Sequence, residues 1–188
     1  MKAKILTLLV LFCVWAGTAI YDRTGRSGQI ANGDGPQLYK AEMAPNILFM
    51  TRDGVNHRLY ALHEKGVVLH FWASWCGPCI VEFPELLRQV QASHGNLALV
   101  AVSIDDDPKE MERFLGRMEK QGNDLDHPNL YIVWDKNKNI SLKSFNTTNV
   151  PETILIDQNY AMTDKIIGDP GWNKPENAKR LRILTQDR

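Results

Sequence analysis

Two cysteines carry the reactive chemistry of this chain: Cys76 and Cys79, in the stretch FWASWCGPC from Phe71 to Cys79. Thiols at this spacing can cycle between dithiol and disulfide, supply half of a metal site, or staple a loop. A staple is disfavoured, because a two-residue spacer closes a ring too small to remove much unfolded-state entropy. A structural zinc ion needs four ligands, usually two such pairs or one pair plus two histidines. The histidines His57, His63, His70, His94 and His127 show no ligand spacing with one another. Cu(I) held by the two sulfurs, as in an assembly factor for a respiratory oxidase, is a third option that nearby methionines would favour. None stands between Thr51 and Lys109.

The elements around the pair give the dithiol reading its physics. Val67 to Ala73 is mostly apolar and reads as a buried strand, and a helical pattern then runs to about His94 with Leu86, Leu87 and Val90 on one face and Gly95 as its stop. Cys76 falls where the strand becomes the helix. Unpaired backbone N–H groups and the positive end of the helix dipole meet there and stabilise a thiolate, so the pKa should fall below the free value of about 8.5. Cys79 is one turn further along, within disulfide reach and more sheltered. Cys76 is therefore expected to attack and Cys79 to resolve. Gly77 and Pro78 suit the spacer, since a proline in the first helical turn forfeits no helical hydrogen bond. Trp75 is expected to flank a substrate, and Trp72 to lie in the core.

Elsewhere strand and helix patterns alternate, which indicates an α/β fold with a largely parallel central sheet. Asn46 to Met50 and Val55 to Tyr60 flank the turn signal Asp53-Gly54, an N-terminal β-hairpin. Leu97 to Ile104, Tyr131 to Trp134 and Thr153 to Ile156 read as strands, with Met162 to Ile167 as a hairpin partner of the last. Pro108 to Gln121, Ile140 to Phe145 and Lys174 to Leu184 read as helices. Within the run Asp105 to Asp107, capping by Asp107 ahead of Pro108 explains the acids more simply than a metal site.

The 188 residues have room for one domain with a proper core. Twenty-two basic residues balance twenty-two acidic ones, leaving no electrostatic footprint for nucleic acid. Lys2 and Lys4 precede an uncharged, mostly apolar run from Ile5 to Tyr21. Residues 1–21 are thus expected to be a signal anchor, or a signal peptide cleaved near Gly17-Thr18-Ala19. Residues 22–40, rich in glycine, form a flexible tether, and residues 41–188 the folded domain. Cys13 lies in the apolar run, so the exported portion holds Cys76 and Cys79 alone.

The segment Trp75 to Cys79 resembles the active site of the thioredoxin superfamily. With the apolar N-terminus, FWASWCGPC and the following IVEFPEL, the chain resembles the membrane-anchored thiol:disulfide oxidoreductases of the TlpA, ResA and CcmG (DsbE) kind. That resemblance implies a thioredoxin fold, a central mixed sheet flanked by helices, with Pro108 to Trp134 as a helix-strand insertion. In VPETILID it places Pro151 as a cis-proline opposite the cysteines, keeping the backbone of Val150 free to pair with a substrate strand. It implies that Glu82 exchanges protons near the buried thiol if half-buried, the alternative being a solvated helix-surface acid. Glu152, in PET, is expected to bias the thiols, contact substrate or face water. His70 departs from the pattern, standing where thioredoxins have a buried aspartate; a hydrogen-bonded core histidine and a proton relay are both open readings. The implied activity is reduction of disulfides in exported proteins such as apocytochrome c, at the periplasm-facing or outer side of the cytoplasmic membrane. The implied electron donor is a membrane thiol, with no cofactor beyond the redox-active Cys76–Cys79 disulfide. A thiol oxidase or isomerase is the alternative within the same chemistry.

Overall fold

The computed structural model describes residues 42–62, 64 and 66–185. The anchor or signal segment 1–21 and the tether 22–40 lie outside the described residues. Among those described, no helix is long and apolar enough to cross a membrane.

Strand β1 (Glu42–Met43) is followed by a hairpin of β2 (Leu48–Met50) and β3 (Asn56–Arg58) and a 3₁₀ turn at Leu59–Ala61. Gly54 takes φ of 84° in the hairpin turn, a conformation that disfavours side chains, as the Asp-Gly signal predicts. Then come β4 (Gly66–Trp72), α1 (Gly77–Gln91), β5 (Leu97–Ser103), α2 (Pro108–Lys120), β6 (Leu130–Trp134), a π-helical turn (Asn139–Ser144), β7 (Glu152–Ile156), β8 (Ala161–Ile167) and α3 (Pro175–Leu184).

The main sheet has the order β1-β8-β7-β4-β5-β6, while β2 and β3 pair with each other. The sheet is mixed, as the resemblance implies. The expectation of a largely parallel sheet is corrected: β4, β5 and β6 run parallel, but β7 is antiparallel to β4, and β8 and β1 continue antiparallel. The physical reason is the tight Asp157–Tyr160 turn, which joins β7 to β8 directly, whereas a parallel neighbour would need a crossover of a dozen residues or more.

Every residue of β4 and of β5 is buried, so both faces of these strands are covered. One face carries Val68 and Trp72 of β4 with Leu99 and Ala101 of β5, against Phe83, Leu86 and Leu87 of α1, Phe114 and Leu115 of α2, and Leu181 of α3. All three α-helices of the described residues share this face. The opposite face, with Val67, Leu69 and Phe71, is sealed by Ile47 and Phe49 of the hairpin region, Leu59, and Ile140 and Phe145 around the π-helical turn. Each fully buried leucine or phenylalanine contributes on the order of 1.5–3 kcal/mol of transfer free energy. Asp107 caps α2, its side chain accepting from the Lys109 N–H at 2.9 Å, which bears out the capping reading of that aspartate. Helix α1 ends at Gln91, short of the expected His94, because the chain turns through Ala92 and Ser93 to Gly95 at φ of 87°.

Candidate active site

The segment between β4 and α1 is held by a buried carboxylate. Asp105, 1% exposed, accepts the Ser74 backbone N–H with both oxygens at 3.1 Å, the Ser74 hydroxyl at 2.8 Å and the Ser103 hydroxyl at 2.7 Å. Its backbone carbonyl accepts the Trp134 indole N–H at 2.8 Å. These bonds bind the approach to Cys76 to the ends of β5 and β6. Cys76 then occupies the N-cap of α1 with an extended backbone, and Pro78 lies in the first turn. Its Sγ accepts the Cys79 backbone N–H at 3.3 Å, satisfying one of the unpaired donors of the helix start.

The two sulfurs are joined as a disulfide, with the Cα atoms 5.3 Å apart. Both cysteines are buried, Cys76 at 5% exposure and Cys79 at none. Gly77 and Pro78 are exposed beside them, and a Cβ at Gly77 would meet open space, so packing does not require glycine there. Trp75 is 67% exposed next to the sulfur, and Trp72 is buried against Phe83 and Phe114. The structure thus separates the two tryptophans as expected.

Pairing of Phe71 with Glu152 brings the start of β7 to the end of β4, so Pro151 lies beside the departure of the cysteine segment. The Val150–Pro151 bond is cis. Val150 is half-buried and packs against the cluster that includes Cys76, and among the described residues its backbone makes no backbone hydrogen bond. The Pro151 carbonyl accepts from the Gly168 N–H at 2.8 Å.

Glu82 is completely buried one turn beyond Cys79. Neither half-burial nor a solvated surface describes it. Burial pushes its pKa up to about 7, and the charges of Asp169 and Glu85 push the same way, while hydrogen bonds from Trp172 and Thr153 oppose them. Its Oε1 accepts the Trp172 indole N–H at 2.5 Å and the Thr153 hydroxyl at 3.2 Å. His70 is fully buried on the same face of the sheet, with Nδ1 3.0 Å from the Thr153 hydroxyl and 3.8 Å from Glu82 Oε1. Burial lowers its pKa to about 3, so it is a neutral, hydrogen-bonded core histidine at physiological pH.

Glu152 is corrected in one respect: it does not face water. It is 2% exposed, accepts from the Thr147 hydroxyl and pairs with Lys165 at 3.2 Å. Because it aligns with Phe71, its side chain lies on the sheet face opposite His70 and α1. Its bonds tether the segment leading to Pro151. Asp105, Thr153 and Trp172 escaped the sequence reading. Asp105 is hidden in an acidic run that capping already explains, and Trp172 lies 90 residues from its partner in a turn-rich stretch whose polar neighbours signal a loop.

Among the described residues no three His, Cys, Asp or Glu side chains gather as metal ligands. The arrangement is a Cys76–Cys79 disulfide at the start of α1 with the buried carboxyl of Glu82 one turn further along the helix. Comparison with known proteins agrees. The Redoxin family model matches residues 40–181. The thiol-disulfide oxidoreductase ResA of Geobacillus kaustophilus is 32% identical over 66% of this chain and 67% of its own length. ResA of Bacillus subtilis is 29% identical over 86% of this chain and 81% of its own. The thioredoxin domain of a Bacteroides vulgatus thiol-disulfide oxidoreductase superposes with a TM-score of 0.61 at 19% identity, covering 78% of this chain and 97% of that domain, a likeness of fold. The chain belongs to the Redoxin family and is a thiol-disulfide oxidoreductase.

Proposed function

We propose that the protein acts as a reductant of disulfides in exported proteins, with Cys76 as the nucleophile and Cys79 as the resolving thiol. The observation that carries this reading is the unequal placement of the pair: Cys76 is the N-cap of α1 and keeps a 5% exposure beside the exposed Trp75, Gly77 and Pro78, whereas Cys79 lies inside the helix with none. In the reduced enzyme, the Cys76 thiolate attacks one sulfur of a substrate disulfide, forming a mixed disulfide and expelling a substrate thiolate that takes up a proton. Cys79 then loses its proton and attacks Cys76 Sγ, forming the intramolecular disulfide and releasing the second substrate thiolate. Two electrons pass to the substrate. Glu82, with a pKa near neutrality, is suited to accept the Cys79 proton at this step. Exposed Trp75, with Val150 and Pro151 opposite, offers a flat apolar seat and an unpaired backbone for an extended substrate strand.

The likeness to ResA relatives and the apolar N-terminal run support placing this reaction at the outer face of the cytoplasmic membrane, with residues 5–21 as anchor. An oxidising compartment does not reduce the spent disulfide, so a membrane thiol donor must do so. The CxxCH disulfide of apocytochrome c is the client that the resemblance favours. The test is a full-length Cys79→Ser variant mixed with an oxidised CxxCH peptide. A covalent adduct through Cys76, absent from Cys76→Ser, supports the proposal; turnover that persists in Cys76→Ser contradicts it.

A further inference from the structure

We infer that Trp172 is a positioning residue for Glu82: with the Thr153 hydroxyl it occupies one carboxyl oxygen and so leaves the other as the place where the exchanged proton is held. The inference rests on the reading that Glu82 serves the Cys79 thiol. Trp172 lies in the segment between β8 and α3, is fully buried, and reaches Glu82 Oε1 with its indole N–H at 2.5 Å. Thr153, on β7, reaches the same oxygen at 3.2 Å. A single hydroxyl proton donated to Glu82 leaves the Thr153 oxygen to accept from His70 Nδ1, 3.0 Å away, so His70 carries its proton on Nδ1. The chain of donors therefore runs one way, from His70 through Thr153 to Oε1.

The other oxygen, Oε2, is buried and has no hydrogen-bond partner among the described residues. A proton on Oε1 would point at two donors, whereas Oε2 is open to receive one. The indole cannot titrate, so it holds the carboxyl in one orientation in both protonation states. The groups facing Glu82 are His70 from β4, Thr153 from β7, Glu85 on its own helix, and Asp169 and Trp172 from the segment after β8. Of these, Trp172 and Thr153 favour the carboxylate, and the two acids oppose it. Removing the indole donor should leave Glu82 protonated to higher pH.

The test uses full-length protein carrying ¹³C-labelled glutamate, with Glu82→Gln identifying the Glu82 signal. In Trp172→Phe the carboxyl titration midpoint should rise by about one pH unit, the effect of losing one hydrogen bond to a charged acceptor. In the reduced protein, the pH profile of Cys79 reactivity should move up with it, while KM for a substrate disulfide stays unchanged. An unmoved midpoint in folded Trp172→Phe overturns the inference. If that variant fails to fold, the wild-type indole ¹H–¹⁵N resonance of Trp172 decides: its shift should titrate with the Glu82 midpoint, and a pH-independent shift overturns the inference. A midpoint that moves without any movement of the Cys79 profile upholds the positioning and refutes the service of Glu82 to Cys79.

Discussion

The two buried titratable groups beside the cysteines make opposite demands on stability, and that opposition can be measured. In the oxidised protein the thiols do not titrate, which leaves Glu82 and His70 to be compared directly. Glu82 is raised from its ordinary value of 4.5 to about 7, chiefly by burial. Between those values the native state binds a proton that the unfolded state does not, so its contribution is fully present below pH 4.5 and is lost as pH rises through about 7. At about 1.4 kcal/mol per pH unit this amounts to roughly 3 kcal/mol. His70 is lowered from 6.5 to about 3, again by burial. Its contribution is present above pH 6.5 and is lost as pH falls toward 3, by roughly 3 kcal/mol on reaching pH 4. The two slopes cancel between pH 4.5 and 6.5, so wild-type stability should be nearly flat there apart from surface groups. Denaturant titrations from pH 4 to 8 on wild type, Glu82→Gln and His70→Asn separate them. The stability of wild type relative to Glu82→Gln should fall by about 3 kcal/mol from pH 4.5 to 8, and relative to His70→Asn it should fall by about 3 kcal/mol from pH 6.5 to 4. The rival is a buried ion pair, since the two side chains are 3.8 Å apart. An ion pair would require an ionised Glu82 at pH 5, and wild type would then gain on Glu82→Gln as pH rises from 4 to 6. That result would refute the account of a neutral pair.

Further outcomes follow from the same geometry. Asp105→Ala strands the Ser74 N–H and two hydroxyls, and should destabilise the fold by about 2–4 kcal/mol and slow disulfide exchange, read by denaturant midpoint and stopped-flow fluorescence. Trp75→Ala should leave stability within about 0.5 kcal/mol of wild type, since the side chain is 67% exposed, yet raise KM for a protein disulfide. Lys165→Met removes the cation that pairs with Glu152 and should loosen the segment before Pro151, seen as faster amide exchange over Phe145–Val150 while Cys76 alkylation is unaffected.

Much of the site was legible because its chemistry is local. The apolar run into Cys76, the helical pattern after it and the proline in the first turn fix the position of the thiol within a few residues, and no tertiary contact is needed to read them. The hairpin turn at Asp53-Gly54 and the cap at Asp107 were visible for the same reason. What escaped depends on sheet order. A sequence shows that β7 and β8 form a hairpin, but not that β7 inserts beside β4 in antiparallel register. That insertion decides everything about Thr153 and Glu152: consecutive residues of one strand, they face His70 on one side and the π-helical segment on the other. Trp172 reaches Glu82 only because the final helix packs on the same face as α1.

The account stands most directly on the unequal character of the two sulfurs. Reduced protein treated with limiting iodoacetamide from pH 5 to 9, with each cysteine peptide quantified by mass spectrometry, measures both ionisations at once. Cys76 should be modified first, with a midpoint below the free-thiol value of about 8.5, and Cys79 more slowly and at higher pH. Cys76 titrating like a free thiol, or Cys79 being modified ahead of it, would contradict the assignment of attack to one and resolution to the other.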